Sequence, residues 1–312
     1  MRRAAAAAWV ALSCLVLGDR AAALDLEVQK VTERVYALVG DLTGRTADNY
    51  GINATLGLLV TDSGAVLIDS GSAYQAGPII ARAVARVTDQ PVRWVINTGA
   101  QDHRWLGNGY FHDRGATIIA LARTVESQRR YAPTHLARLR NILGDRLEGT
   151  VPVYADRVIQ GDDATFSLGG VGVRLMWPGH GHFRDDAVVI VPSEDTIFTG
   201  DLVFVERLLG VQGDGTSSMV RDWLASFRRI AAMAPAHIVP GHGHACDLAR
   251  AQADTGDYLA WLIDSIAPAV ANFDDLAEVV DRLERSPFEY LVNHDKLQRH
   301  NVNVTFLQLE AE

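Results

Sequence analysis

GLLVTDSGAVLIDSGS, residues 57–72, sets two strand-length apolar runs on either side of Asp62-Ser63-Gly64 and ends in a loop of small and polar residues. That pattern is a β-hairpin followed by a turn away from the sheet. Upstream, VYALVG (35–40) is a further strand. Downstream, Pro78 to Val87 has helical spacing with proline in its first turn, and it leads into VRWVINTG (92–99), an apolar run that again ends in a polar loop. The first part of the chain is therefore a sheet that continues into a βα unit, and loops at strand ends are where sites are built.

ATIIAL (116–121) adds a strand, and the arginine-rich stretch from Thr124 to Leu143 reads as a helix whose charges form a solvated face. The second half repeats the order. Strands are expected at VIQ and ATFSLGGVGVRLMW, then the loop PGHGHFRDD, the strands AVVIVP and TIFTGD, a helix from Ser217 to Met233, and AHIVPGHG. Two β-rich halves, each closing in an α element, give an α/β fold of four layers: an αβ/βα sandwich with two β-sheets face to face and helices outside. From about residue 247 the chain reads as a helical C-terminal extension with a short apolar end, NVTFLQLE.

The 312 residues are 48% hydrophobic, with no repeat, low-complexity tract or linker after residue 24, so one domain is expected over 24–312. Arg2 and Arg3, the apolar run AAAAAWVALSCLVLG and the small residues Ala21 to Ala23 have the three parts of a secretory signal peptide over 1–23, too short for a stable membrane span. The expected location is the periplasm or outside the cell. The formal net charge is −9, and removal of Arg2, Arg3, Arg20 and Asp19 makes the remainder more acidic still. Such a surface disfavours nucleic acid and anionic lipid. Cys14 lies within the signal, so the mature chain keeps only Cys246 and no internal disulfide is expected.

Metal-capable side chains gather in four loops after apolar strands: NTGAQDHR (97–104), PGHGH (178–182), TGD (199–201) and PGHGH (240–244). Five of the ten histidines (His103, His180, His182, His242 and His244) fall in three of these loops. With Asp102 and Asp201 they point to one shared site.

In order, GLLVTDSGAVLIDSG, VINT, LGNGYF, PGHGH, IFTGDLVF and IVPGHG resemble the metallo-β-lactamase superfamily over residues 28–245. RWLGNGYF and the tail FEYLVNHDKLQRHNVNVTFLQLE are similar to periplasmic quinoprotein relay system zinc metallohydrolases within it. Members carry H-x-H-x-D-H after the strand that ends VINT, and this chain departs from it. Aligned without gaps, the four ligand seats hold Gly99, Gln101, His103 and Arg104; a one-residue shift with a local bulge would instead seat Asp102 and His103. The resemblance further assigns His182, Asp201 and His242 as ligands. With His103, and with or without Asp102, they suit a single Zn²⁺ with an open position for water rather than a dinuclear centre.

Such an ion implies hydrolysis of an ester, thioester or amide bond in a small-molecule substrate. Asp102 would then accept a proton or merely cap a turn. Arg104 would hold a substrate carboxylate or replace the missing metal charge by pairing with Asp201. His180 and His244 would support the ligands or face solvent. Trp105 and Trp177 would line a pocket or the core. The alternative is a non-catalytic binding or accessory protein of a periplasmic quinoprotein dehydrogenase system. β-Lactam hydrolysis is a weaker option, because fold does not fix substrate.

Overall fold

The computed structural model describes residues 24–213 and 219–312. The signal segment expected over 1–23 and the expected helix start at Ser217 lie outside those residues. In chain order the elements are β1 (Glu27–Lys30), β2 (Val35–Val39), β3 (Leu56–Thr61), β4 (Gly64–Ile68), α1 (Gly77–Ala85), β5 (Val92–Ile96), the short turns α2 (Asp102–Trp105) and α3 (Asn108–His112), β6 (Thr117–Leu121), α4 (Ala122–Leu143) and β7 (Arg157–Ile159). They continue through β8 (Asp163–Leu168), β9 (Val171–Met176), β10 (Val188–Val191), β11 (Thr196–Phe198), α5 (Val220–Ala231) and β12 (His237–Val239). The last elements are α6 (Leu248–Ala251), α7 (Asp257–Ala271), α8 (Leu276–Arg282) and α9 (His294–Glu310).

One sheet of seven strands runs in sequence order from β1 to β7, antiparallel as far as β4 and parallel from there on. The other has the order β12-β11-β10-β9-β8. Because side chains alternate across a strand, β2 sends Val35, Ala37 and Val39 into the core between the sheets. Leu38 goes to the opposite layer, which α1 covers. In β4, Val66 and Ile68 face the second sheet and Ala65 and Leu67 face the helices. Both faces are thus buried, which is why these strands read as continuous apolar runs. The expected four-layer sandwich is the fold observed.

α9 takes in the NVTFLQLE end as its last turns, so this segment is helical. α5, α7 and α9 share one apolar cluster with Ile197 and Ile238 of the second sheet, so the C-terminal helices form its outer layer. No helix among the described residues is long and apolar enough to cross a membrane.

Candidate metal centre

The loops after β4, β5, β11 and β12, with the β9–β10 loop, meet at one edge of the sandwich. Their positions are locked by the small polar residues of the motifs. Asn108 exchanges hydrogen bonds with Asn97 at 3.0 and 2.8 Å and accepts one from Ser70 Oγ at 2.8 Å, while Gly107 N–H donates to Gly71 O at 2.9 Å. These contacts bind the ends of β4 and β5 to the start of α3. Thr55 ties in the last loop, its N–H reaching Gly241 O at 2.8 Å and its hydroxyl Gly243 O at 2.6 Å.

On this frame His103, Asp201 and His242 converge: one ligand atom from each lies within 4.8 Å of the others, and all three residues are buried. His103 Nε2 stands 3.0 and 3.3 Å from the two Asp201 oxygens, and His242 Nε2 stands 3.2 Å from Oδ1. Burial opposes the charge on Asp201, but the Arg104 guanidinium and His103 beside it hold its carboxyl well below the usual carboxylate range. Burial, and then the Arg207 guanidinium, push His242 well below the usual imidazole range, so its ring is neutral.

The single proton of a neutral imidazole can be located. His242 Nδ1 lies 2.8 Å from Asn53 O, an atom that only accepts, so Nδ1 carries the hydrogen and donates it. Nε2 then aims a lone pair at a carboxylate oxygen 3.2 Å away. Two acceptors facing each other in a buried site need a cation between them. Ligand separations of 3.0–3.3 Å also match the roughly 3.3 Å edge of a tetrahedron whose corners lie ~2.0 Å from a zinc ion. The donor set therefore fits a metal.

The other sequence-expected residues lie outside this cluster. Asp102 is fully buried and turns the other way: one oxygen pairs with Arg45 and accepts the His103 N–H at 2.7 Å, and the other accepts from Arg138 at 2.7 Å. Burial opposes its charge, yet Arg45, the His103 side chain and Arg138 hold its carboxyl well below the ordinary range. It meets the site only through His103 Nδ1, 3.4 Å away. Arg138 belongs to the α4 face expected to be solvated; one of its charges is instead spent on this buried carboxylate. His182 is buried among Phe183, Phe204 and Trp223 with its Nε2 3.4 Å from Gln212 Nε2, and burial pushes it down to about 4. His180 faces Asp222 at 3.5 Å, and His244 is held by Glu206 at 2.6 Å and Glu27 at 3.2 Å. Trp105 is buried and stacks on Tyr154, while Trp177 is half-buried with Arg123 over its ring.

Arg104 takes the second of its two expected postures. Its guanidinium is buried and bridges two carboxylates: Nη1 donates to Asp69 Oδ2 at 3.0 Å, while Nη2 pairs with Asp201 and donates to Gly241 O at 2.9 Å. A Cβ on Gly241 would stand 2.5 Å from Nη2, so the glycine of VPGHG is what lets the guanidinium in. His103 and Arg104 thus both reach Asp201, while Asp102 turns away.

Asp69 was not singled out in the sequence. It closes the apolar strand β4 in a left-handed conformation (φ 65°) and accepts from Thr98 N–H at 2.8 Å and Thr98 Oγ1 at 2.7 Å as well as from Arg104. A lone acid at the end of a wholly apolar run was the available signal.

The model of the Metallo-beta-lactamase superfamily matches residues 51–242. This chain belongs to that superfamily. Over 84 residues it is 30% identical to the metallo-beta-lactamase type 2 of Bacteroides fragilis, a match that takes in 26% of this chain and 33% of that protein. The chain thus spans about a third of the length of this curated relative. Among solved structures, a metallo-beta-lactamase from Pontibacter korlensis superposes with a TM-score of 0.58 at 22% identity, covering 76% of this chain and 99% of that one. TMB-1 (TM-score 0.58, 18% identity) and the DIM-1 metallo-beta-lactamase (0.56, 17%) each cover 76% of this chain and 98% of their own. At these identities the likeness is one of fold.

The seat of the first expected ligand is filled. A Cβ at Gly99 would lie 2.7 Å from Asp186 Oδ1, and the other Asp186 oxygen accepts the Phe183 N–H at 2.6 Å, so the carboxyl cannot swing freely. Gly99→His, which puts a histidine in the first seat that the resemblance assigns, is expected to cost about 1–3 kcal/mol of stability through overpacking and to add no metal site. Urea unfolding with metal analysis checks both, and a metal content raised above that of wild type would show that Asp186 yields its place.

Proposed function

We propose that this chain is an exported metal-dependent hydrolase that holds one Zn²⁺ on His103, Asp201 and His242 and cleaves an ester, thioester or amide bond in a small molecule. The observation that carries the reading is the lone pair of His242 Nε2 directed at the Asp201 carboxylate. When bound, a zinc ion at such a site polarises a carbonyl and lowers the pKa of its water toward ~7. The chain's own groups prepare the ligands. Asn53 O fixes the tautomer of His242, Arg104 keeps Asp201 ionised, and Asp102 faces Nδ1 of His103 and leaves Nε2 for the ion. Both oxygens of Asp102 are engaged by cations, so its part is orientation rather than proton transfer.

Metal analysis of the purified protein tests this. Wild type should carry about one zinc per chain, and His242→Ala and His103→Ala close to none, as expected for a site of three protein ligands. Zinc content unchanged in both variants would sink the assignment. Export is carried by residues 1–23, and an N-terminus beginning at Leu24 in material recovered from the periplasm is the expected result.

One observation favours the second reading, a non-catalytic accessory of a periplasmic quinoprotein system: none of His103, Asp201 and His242 is more than 2% exposed. Zinc binding without turnover of any ester, thioester or amide is its signature.

A further inference from the structure

Between α6 and α7 the chain winds through Gln252–Gly256 as a π-helical turn, one residue wider than a turn of α-helix. Such turns are rare and occur frequently at functional sites. Asp254, Thr255 and Gly256 are all buried, and a Cβ on Gly256 would stand 2.5 Å from Cε1 of Phe227, so the glycine lets the turn lie against α5.

The turn grips the backbone of residues 204–206. Thr255 Oγ1 accepts the Phe204 N–H at 2.9 Å and donates to Phe204 O at 2.5 Å. A hydroxyl can do both at once, so one side chain serves Phe204 as a neighbouring strand would. On its other edge the same segment pairs with the loop after β12: Val205 N–H donates to His242 O at 3.0 Å, and Gly241 N–H donates to Val203 O at 2.9 Å. Asp254 completes the clamp. Its Oδ2 accepts the N–H of Glu206, a residue held at φ 62°, at 2.7 Å and Arg250 Nε at 2.6 Å, and its Oδ1 accepts the Tyr290 hydroxyl at 2.8 Å.

The clamped residue meets the metal cluster through its ring. Phe204 stacks on His242 with centroids 4.5 Å apart and planes 21° from parallel, while the His103 ring meets His242 edge-on at 5.2 Å. The hydrogen bond from Nδ1 to Asn53 O fixes one point of the imidazole. Tilting about that point would carry Nε2 away from Asp201, and a ring lying flat against the imidazole opposes the tilt.

We propose that Thr255 is a positioning residue for His242: by clipping the Phe204 backbone it holds the phenyl ring that keeps Nε2 of the imidazole aimed into the cluster. The inference rests on the zinc reading for its consequence. It goes beyond that reading by bringing into the site a residue of the C-terminal extension, outside the matched residues 51–242.

Two readings on the full-length mature chain test it. Competition with a chromophoric chelator gives the zinc affinity, and long-range proton–nitrogen correlation on the metal-free protein gives the His242 tautomer. Thr255→Val keeps the shape and removes the hydroxyl. It should weaken zinc binding about tenfold or more, the usual effect of losing a group that orients a ligand, and draw the two His242 nitrogen shifts toward each other as both tautomers become populated. Thr255→Ser returns the hydroxyl and should return both readings. Val279→Ala, a core truncation in α8, sets the scale for lost stability alone and should leave both at wild-type values. Phe204→Leu leaves the hydroxyl and removes the stacked ring. It should reproduce the Thr255→Val result, and it keeps the test decisive if Thr255→Val does not fold. Wild-type zinc affinity and nitrogen shifts in Thr255→Val or in Phe204→Leu, or an equal weakening in Val279→Ala, overturn the proposal. If wild type takes up no zinc the hydrolase reading falls, and the nitrogen shifts still decide the inference: a change in Thr255→Val that Thr255→Ser reverses upholds it, and no change overturns it.

Discussion

Arg104→Leu should lower the stability of the metal-free protein by about 3–5 kcal/mol, the cost of removing one member from a buried ionic network. The guanidinium is buried and lies between Asp69 and Asp201, both buried, and its charge pulls both carboxyls down against the upward push of burial. Burial works against its own charge, and the two carboxylates hold it on. Without it, Asp201 keeps only the His103 and His242 rings and Asp69 keeps Thr98, and no guanidinium remains on either carboxylate. Arg104→Lys should fall between, because an ammonium delivers the charge without the two-pronged geometry. Urea unfolding with chelator present measures both. Added zinc should restore more stability to Arg104→Leu than to wild type, since it brings a second cation to Asp201. A leucine variant within about 1 kcal/mol of wild type would mean that the guanidinium is not replacing a metal's charge at this seat.

That result bears on how a superfamily site can change. An ion gives a carboxylate cluster positive charge that comes and goes with supply. Arg104 gives it permanently, from a residue on the same short turn as His103. Asp186 fills the space beside Gly99.

The fold was legible because its signals are additive over many residues: apolar runs of strand length, turn residues between them, and loops that repeat at strand ends. The convergence of His103, Asp201 and His242 was within reach for a related reason, since each follows a strand of recognisable type. What surrounds them was not. Arg45 lies in a polar loop with no pattern, and Arg138 sits on a helix face that reads as solvated until its partner Asp102 is known. The tautomer of His242 is set by the backbone carbonyl of Asn53, which no side-chain identity reveals. The direction of Asp102 depends on one turn of helix beginning at that residue rather than continuing as a loop. Long-range partners decide each of these, and a pattern read along the chain does not contain them.

Asp185 offers a second large effect, with a sign that can be worked out. Neither of its carboxylate oxygens meets hydrogen-bond geometry with any donor among the described residues, and the residue is only 3% exposed. Burial pushes its carboxyl up to about 7, against the weaker pull of Ser127 and Arg123, and the neighbouring Asp186 is raised well above the ordinary range by burial and by Asp185 itself. In the unfolded chain the same group titrates near 4. Below that pH both states hold the proton and nothing is lost. As the pH rises from about 4 toward 7 the unfolded chain releases its proton while the native protein keeps it, so stability falls by up to about 1.4 kcal/mol per unit. The loss levels off once the folded group ionises as well. Asp185→Asn has no proton to lose. It should match wild type near pH 4.5 and exceed it by about 2–4 kcal/mol at pH 8, read from urea midpoints measured at both values. The same slope in wild type and variant would show that Asp185 is solvated in a way its buried position does not provide.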